Sequence, residues 1–241
     1  MQIHLFYIES FDAATKQIIL NDDTSRHIVQ VLRMNEGEKL NLTDGNGNLI
    51  TAEIADTHKK RCRVEVIDSR LTTHNSRLVT VAISLLKNSN RFEWFLEKAT
   101  EIGVSEIIPL ICERTEKQKF RYDRMKGICI SAMLQSQQSW LPVLHEPVKF
   151  DNLTIKQFDN YRKFIAHCAD SSDKKQLSTI KPINHSTILI GPEGDFTKEE
   201  IELALQNNFI PVSLGGTRLR SETAGVVAAS ILCHSTHQDF S

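Results

Sequence analysis

Two stretches of the chain concentrate glycine and charge beyond what ordinary turns require. The first is Ile190-Gly191-Pro192-Glu193-Gly194-Asp195-Phe196. The second is Leu214-Gly215-Gly216-Thr217-Arg218-Leu219-Arg220-Ser221-Glu222-Thr223-Ala224. Glycine lets a backbone approach a ligand closely or adopt positive φ, so Gly191, Gly194 and Gly215 are expected to offer main-chain groups to a bound molecule. Arg218, Arg220, Glu193 and Glu222 bring more charge to the pair than turns require. Bland roles stay open beside these: Glu222, in the first turn of a helix, would complement the helix dipole, and Arg220 could simply pair with Glu222. No Gly-x-Gly-x-x-Gly follows a strand, and no Gly-x-x-x-x-Gly-Lys-Ser/Thr occurs, which excludes the usual pyrophosphate cradles. Backbone amides and apolar walls remain compatible with adenosine and a methionine tail. Gly-x-Ser-x-Gly is also missing, so no serine nucleophile elbow is present. Asp44-x-Asn46-x-Asn48 starts like a calcium loop, but Leu49 and Ala55 stand where Gly and Glu are needed, so a β-turn is expected and no metal site.

Loops of this kind act only if a sheet holds them at one edge. In open α/β sheets, ligands bind beyond the carboxyl ends of the strands. From Leu78 onward the chain has that rhythm. Leu78–Leu86 is a continuous apolar run of strand length, as for a strand buried on both faces. A helix follows with Phe92, Phe95, Leu96 and Ala99 on one face and Gly103 at its end. Then come a strand at Glu106–Ile111 and a helix carrying Met125, Ile128, Cys129, Ala132 and Met133 at helical spacing. Strands near Lys163–Cys168 and Thr187–Ile190 lead to Thr197-Lys198-Glu199-Glu200, a capping box that opens a helix. Pro211–Leu214 is the last strand, and Ala224, Val227, Ala228, Ile231 and Leu232 form the stripe of the last helix. His167 ends a strand beside the expected pocket and joins the candidates. Strands alternating with helices mean a parallel sheet covered on both sides. The first seventy residues instead alternate in short runs, at Gly37–Thr43, Leu49–Ile54 and Arg63–Ile67, separated by Gly, Asn and Asp turns; a small β-barrel is expected. One helix interrupts it, with His27, Ile28, Val31, Leu32 and Met34 as its apolar stripe and Gly37 as its stop. The boundary lies at residues 70–77, giving a barrel over 1–72 and an α/β domain over 73–241.

Ile190-Gly191-Pro192-Glu193-Gly194 followed by Leu214-Gly215-x-x-Arg218-Leu219-Arg220-Ser221-Glu222-Thr223-Ala224 resembles the paired signature of the RsmE-type 16S ribosomal RNA uridine N3-methyltransferases, of the SPOUT class. The likeness extends through His27-x-x-x-Val31-Leu32-Arg33, Lys87-x-x-x-Arg91-x-Glu93-Trp94, Lys98-Ala99-Thr100-Glu101-Ile102-Gly103-Val104 and Glu113-Arg114, and so spans both halves of the chain. The resemblance implies a PUA-like barrel that binds RNA, followed by a SPOUT-like α/β domain closed by a C-terminal trefoil knot. It implies S-adenosyl-L-methionine as cofactor, 16S ribosomal RNA or the assembled small subunit as partner, and a homodimer. Carried onto this sequence, it makes Arg220, Glu193 and Glu222 the catalytic candidates. His167, Ile190, Gly191, Glu193, Gly194, Leu214, Gly215, Leu219, Thr223 and Ala224 become the donor-binding candidates. Alternatives are a methyltransferase acting on another RNA, or an RNA-binding protein without activity. The pattern is broken in places: Asp195 stands where the family often has a second glycine, Leu134 where a glutamate is common, and Gln138 near a usual arginine.

The whole chain has 29 basic and 30 acidic residues among 241, so an RNA partner must be sought region by region. Residues 76–150 carry 11 basic and 8 acidic side chains, the one third with a positive balance. Arg114, Lys117 and Lys119 cluster there, and Lys59-Lys60-Arg61 forms a second run in the barrel half. With Arg33, Lys87 and Arg91 these are the candidates for phosphate contact. Hydrophobic residues at 40% and charged residues at 24% exclude a disordered chain. Five dispersed cysteines fit free thiols in a reducing compartment. With no signal peptide and no apolar run approaching about 18 residues, a cytoplasmic protein without membrane contact is expected.

Overall fold

The computed structural model describes residues 3–73, 77–153, 161–169, 174–181 and 184–234. The chain forms two compact units. One comprises Met1–His74 together with Met133–Leu141; the other comprises Asn75–Ala132 and Pro142–Ser241. The return of Met133–Leu141 to the first unit has no counterpart in a division at residue 72.

The first unit is a five-stranded sheet of β1 (Leu5–Tyr7), β2 (Gln17–Ile19), β3 (Lys39–Thr43), β4 (Asn48–Asp56) and β5 (Arg63–Leu71), in the order β1-β3-β4-β5-β2. β1 runs parallel to β3, and the other pairs are antiparallel. The expected alternation holds: Leu40, Leu42, Ile50, Ala52, Ile54 and Val64 point into one core with Phe6, Leu20, Ile28 and Met34. The β3–β4 turn is tied by Asp44, whose carboxylate accepts from Asn46 N at 2.9 Å and Asn48 Nδ2 at 2.7 Å.

The helix of this unit differs from its expectation. It begins at α1 (Asp22–Arg26), capped by Asn21, and continues as a π-helical turn over His27–Val31. Arg33, at φ 55°, ends it before Gly37 is reached. Ile28 and Met34 are buried, but Val31 is 65% exposed. The wider turn rotates Val31 away from the stripe that 3.6-residue spacing assigns to it.

The second unit is an eight-stranded parallel sheet. Its strands are β6 (Leu78–Ser84), β7 (Glu106–Ile111), β8 (Val143–Leu144), β9 (Val148–Lys149), β10 (Arg162–Ala166), β11 (Lys175–Gln176), β12 (His185–Ile190) and β13 (Ile210–Ser213). Seven follow the order β11-β13-β10-β12-β6-β7-β8, with β9 also on β7. Its helices are α2 (Ser89–Ile102), α3 (Tyr122–Gln135), α4 (Phe150–Leu153), α5 (Lys198–Gln206) and α6 (Ser221–His234). Both faces are covered. Ala82, Ile108, Leu110, Ile165 and Leu189 pack with Phe150, Leu153, Ile201 and Ala204 of α4 and α5. On the opposite face α6 lies against α2, β6 and β12. Contact there is close: a Cβ at Gly225 would sit 2.7 Å from Cε2 of Phe95 and 3.1 Å from Cδ1 of Ile83. All four stripe residues of α2 are buried, and Gly103 ends that helix at φ 92°.

Candidate functional site

β13, β10 and β12 are adjacent and parallel, so their carboxyl ends open at one edge. A cavity of about 360 Å³ lies there. Its lining comes from all three strand ends: Ala166 and Cys168 after β10, Ile190–Glu193 and Asp195 after β12, Arg218–Ser221 and Ala224 after β13. The two glycine- and charge-rich loops, some 24 residues apart in sequence by their first residues, thus form one cleft, and its volume lies within the ~300–1,000 Å³ range of small-molecule sites.

The first loop is held from several sides. The capping box forms as expected, with Thr197 Oγ1 accepting from Glu200 N at 3.2 Å and Glu200 Oε2 from Thr197 N at 2.8 Å. Glu200 Oε1 accepts from Glu113 N at 2.9 Å, and the next residue, Arg114, donates from Nη1 to the Gly194 carbonyl at 2.7 Å. A Cβ at Gly191 would stand 3.1 Å from Cδ2 of Phe196, so this glycine serves the folding of the loop on itself as well as the cleft. Asp195 adopts φ 63°, and its carboxylate accepts from Cys168 N at 2.7 Å and Phe196 N at 2.9 Å.

Of the expected catalytic residues, Arg220 and Glu193 line the cleft. Arg220 is exposed, and among the described residues nothing pairs with its guanidinium. Glu193 Oε1 accepts from Lys87 N at 3.1 Å. Glu222 is outside the lining. It is buried at 7% exposure, its Oε1 lies 3.6 Å from Nε of Arg91, and its Oε2 has no hydrogen-bond partner among the described residues. The ion pair open between Arg220 and Glu222 is therefore made by Arg91 of α2.

Among the expected donor-binding residues, Ile190, Gly191, Glu193, Leu219 and Ala224 line the cleft; Gly194, Leu214, Gly215 and Thr223 belong to the same loops without lining it. His167 is elsewhere. It lines a separate cavity of about 760 Å³ with Lys198, Ile201 and Phe209. Side chains alternate along an extended chain, so Ala166 and Cys168 reach the cleft and His167 points the other way. Burial and the nearby Lys174 push its imidazole below the ordinary histidine range. Ala166 and Cys168 are cleft residues that sequence reasoning missed; their signal is position at a strand end, which no residue type advertises.

The basic candidates divide. Lys59, Lys60 and Arg61 are exposed between β4 and β5, and Arg33, Lys117 and Lys119 are exposed as well. Lys87 Nζ pairs with Glu116 at 2.7 Å, which pushes its pKa up. Arg91 and Arg114 hold Glu222 and the Gly194 carbonyl as described. Trp94 is 41% exposed.

The model of an RNA methyltransferase domain matches residues 73–233, and that of an RNA methyltransferase PUA domain matches residues 20–67. The chain belongs to the RNA methyltransferase family. Within that family it is similar to "Ribosomal RNA small subunit methyltransferase E" of Buchnera aphidicola (Acyrthosiphon pisum), at 28% identity over 96% of this chain and 93% of the relative. A probable rRNA-methyltransferase from Porphyromonas gingivalis has a crystal structure superposing with TM-score 0.86 at 38% identity, over 94% of this chain and 95% of that one. The ribosomal RNA small subunit methyltransferase E of Neisseria gonorrhoeae, solved bound to S-adenosyl methionine, superposes with TM-score 0.85 at 28% identity, over 95% and 96%. As an RNA methyltransferase, the chain has its two glycine- and charge-rich loops inside the matched catalytic domain, and its Lys59-Lys60-Arg61 run inside the PUA match.

Proposed function

We propose that this RNA methyltransferase transfers a methyl group from S-adenosyl-L-methionine to N3 of a uridine in 16S ribosomal RNA of the small subunit. The observation that carries the reading is the single cleft at the ends of β13, β10 and β12, walled by both signature loops. The cleft fits the donor: Gly191 exposes backbone, while Ile190, Pro192, Leu219 and Ala224 give apolar walls for a nucleoside. When bound, S-adenosyl-L-methionine supplies an electrophilic methyl group on a sulfonium.

The chain's own residues must orient the uracil and manage its N3 proton, whose pKa lies well above neutrality. Arg220, free of protein partners among the described residues, stabilises negative charge growing on a uracil oxygen. Of the two carboxylates in the cleft lining, Asp195 has both oxygens engaged by the Cys168 and Phe196 N–H groups, so Glu193 accepts the proton, one of its oxygens oriented by Lys87 N–H. Glu222, outside the lining, supports α2 and α6 through Arg91 rather than taking part in proton transfer. The apolar part of the wall, Ile190, Pro192, Leu219 and Ala224, favours a step in which opposite charges disappear.

The PUA-like unit, with Lys59, Lys60, Arg61 and Arg33 exposed, and Lys117 and Lys119 in the other unit, would contact phosphates. The active species would be a homodimer acting in the cytoplasm; among the described residues no helix is long and apolar enough to cross a membrane. The proposal includes a trefoil knot. What supports it is that β13 lies on the side of β10 away from β12, yet α6 packs against β12 and β6 and against the Leu177–Thr179 turn of the β10–β12 connection. The test is incubation of labelled donor with small-subunit RNA, naked and assembled, followed by nucleoside mass analysis. N3-methyluridine is expected, lost in Arg220→Ala; donor bound with no N3-methyluridine in either substrate refutes the assignment.

A further inference from the structure

We infer that Asp195 is a positioning residue that couples two walls of the cleft and thereby sets the affinity for the methyl donor; this rests on the donor site proposed above. The β10 and β12 ends are separate stretches of chain, and nothing in the parallel pairing of the strands, which stops at Ala166↔Ile190, fixes the backbone beyond them. Asp195 spans that gap. Its Oδ2 accepts from Cys168 N at 2.7 Å, across 27 residues of sequence, and its Oδ1 accepts from Phe196 N at 2.9 Å. Both Cys168 and Asp195 line the cleft, so the bridge lies in its wall.

The backbone argues for function over convenience. Asp195 is at φ 63°, a conformation that glycine adopts freely and L side chains resist. A glycine would close the Pro192–Asp195 turn, whose backbone bond measures 3.0 Å, without strain. Hydrogen bonds to a charged acceptor are among the stronger ones, and this one acts on a main-chain N–H at the lip of a ligand site. Lys174, which donates to the His167 carbonyl at 2.8 Å, holds the same β10 extension from its other side. With both ends fixed, the Ala166–Cys168 wall is set before the donor arrives, which lowers the ordering cost of binding.

The test compares Asp195→Gly and Asp195→Asn with the unsubstituted protein. Calorimetry measures Kd for S-adenosylmethionine and its demethylated product, steady-state kinetics on small-subunit RNA separates KM from kcat, and thermal melting monitors the fold. Asp195→Gly relieves the turn while deleting the bridge, so its melting temperature is expected to be preserved. Its donor Kd and donor KM should rise by about tenfold or more, the loss of roughly one charged hydrogen bond. The kcat at saturating donor should stay within about threefold, as for a group that acts on binding. Asp195→Asn keeps an oxygen able to accept from Cys168 N and should recover most of the affinity. Unchanged donor Kd in Asp195→Gly, or a fall in stability with no change in Kd, overturns the inference while leaving the donor site intact. Absence of donor binding by the unsubstituted protein overturns both.

Discussion

Glu200 ties the first glycine-rich loop to the chain that follows β7. It is 7% exposed, and each carboxylate oxygen accepts from a main-chain N–H: Oε1 from Glu113 and Oε2 from Thr197. Glu200→Ala leaves both amides without an acceptor, at about 1–3 kcal/mol each when the group stays dry. They do not stay dry: Glu113, Thr197 and Glu200 line an open cavity of about 670 Å³ that admits water. Alanine's better helix propensity returns a few tenths of a kcal/mol. The net loss should therefore fall at about 2–3 kcal/mol, the low end of the sum. For a unit of this size that is a fall of roughly 4–12 °C in melting temperature. Thermal and urea melts followed by circular dichroism read it directly. Glu200→Gln, which keeps one acceptor, should lose about half as much, and Thr197→Ala about 1 kcal/mol for the cap alone. Because Glu113 precedes Arg114, which holds Gly194, Glu200→Ala should also weaken donor binding. If Glu200→Ala melts within about 2 °C of the unsubstituted protein, the reasoning that makes this carboxylate the anchor of the loop is wrong.

Cys168 is the exposed thiol of the five; burial pushes Cys112 and Cys233 up to about 12 and Cys129 to about 11. A maleimide at neutral pH should label Cys168 first, donor or its demethylated product should protect it, and peptide mass mapping would expose a different order. Substituting Lys59, Lys60 and Arg61 by alanine should weaken RNA binding and reduce the salt slope by about 2–3, at roughly 0.7–0.9 per phosphate contact; an unchanged slope in filter binding removes this patch from the interface. Gly225→Val should destabilise by about 1–3 kcal/mol through overpacking, since even a Cβ would lie 2.7 Å from the Phe95 ring; a melt with no shift would mean that the α2–α6 contact yields.

Much of the α/β unit was legible because its strands are continuous apolar runs and its helices carry clean stripes and caps. Phe92, Phe95, Leu96 and Ala99 were read as one face, and all are buried; the Thr197–Glu200 box forms as read. The short edge strands β8, β9 and β11 were not legible, since two residues carry no period. The π-helical turn broke the spacing on which Val31 was placed. Within the site, the loops were visible by composition, but which side of an extended chain faces the cleft was not. A strand end whose neighbours on both faces are apolar gives no parity, so residue chemistry favours His167 and leaves Cys168, one residue on, without a signal. Arg91 reads as a phosphate ligand in the sequence, because nothing local in α2 announces a buried carboxylate arriving from α6.

Met133–Leu141, far along the chain, completes the first unit. Thr43 Oγ1 donates to the Ser139 carbonyl at 3.2 Å, Gly47 N to the same carbonyl at 2.8 Å, and Leu141 N to the Gly45 carbonyl at 2.8 Å. The Trp140 ring fills the space where a side chain on Gly47 would stand. A gene fragment cut after the last strand of the sheet would therefore encode an unfinished product, with the β3–β4 hairpin stripped of its lid and prone to self-association. Any effort to transplant this half, or to express it alone, has to carry the later segment along, through a circular permutation or a stitched-in peptide.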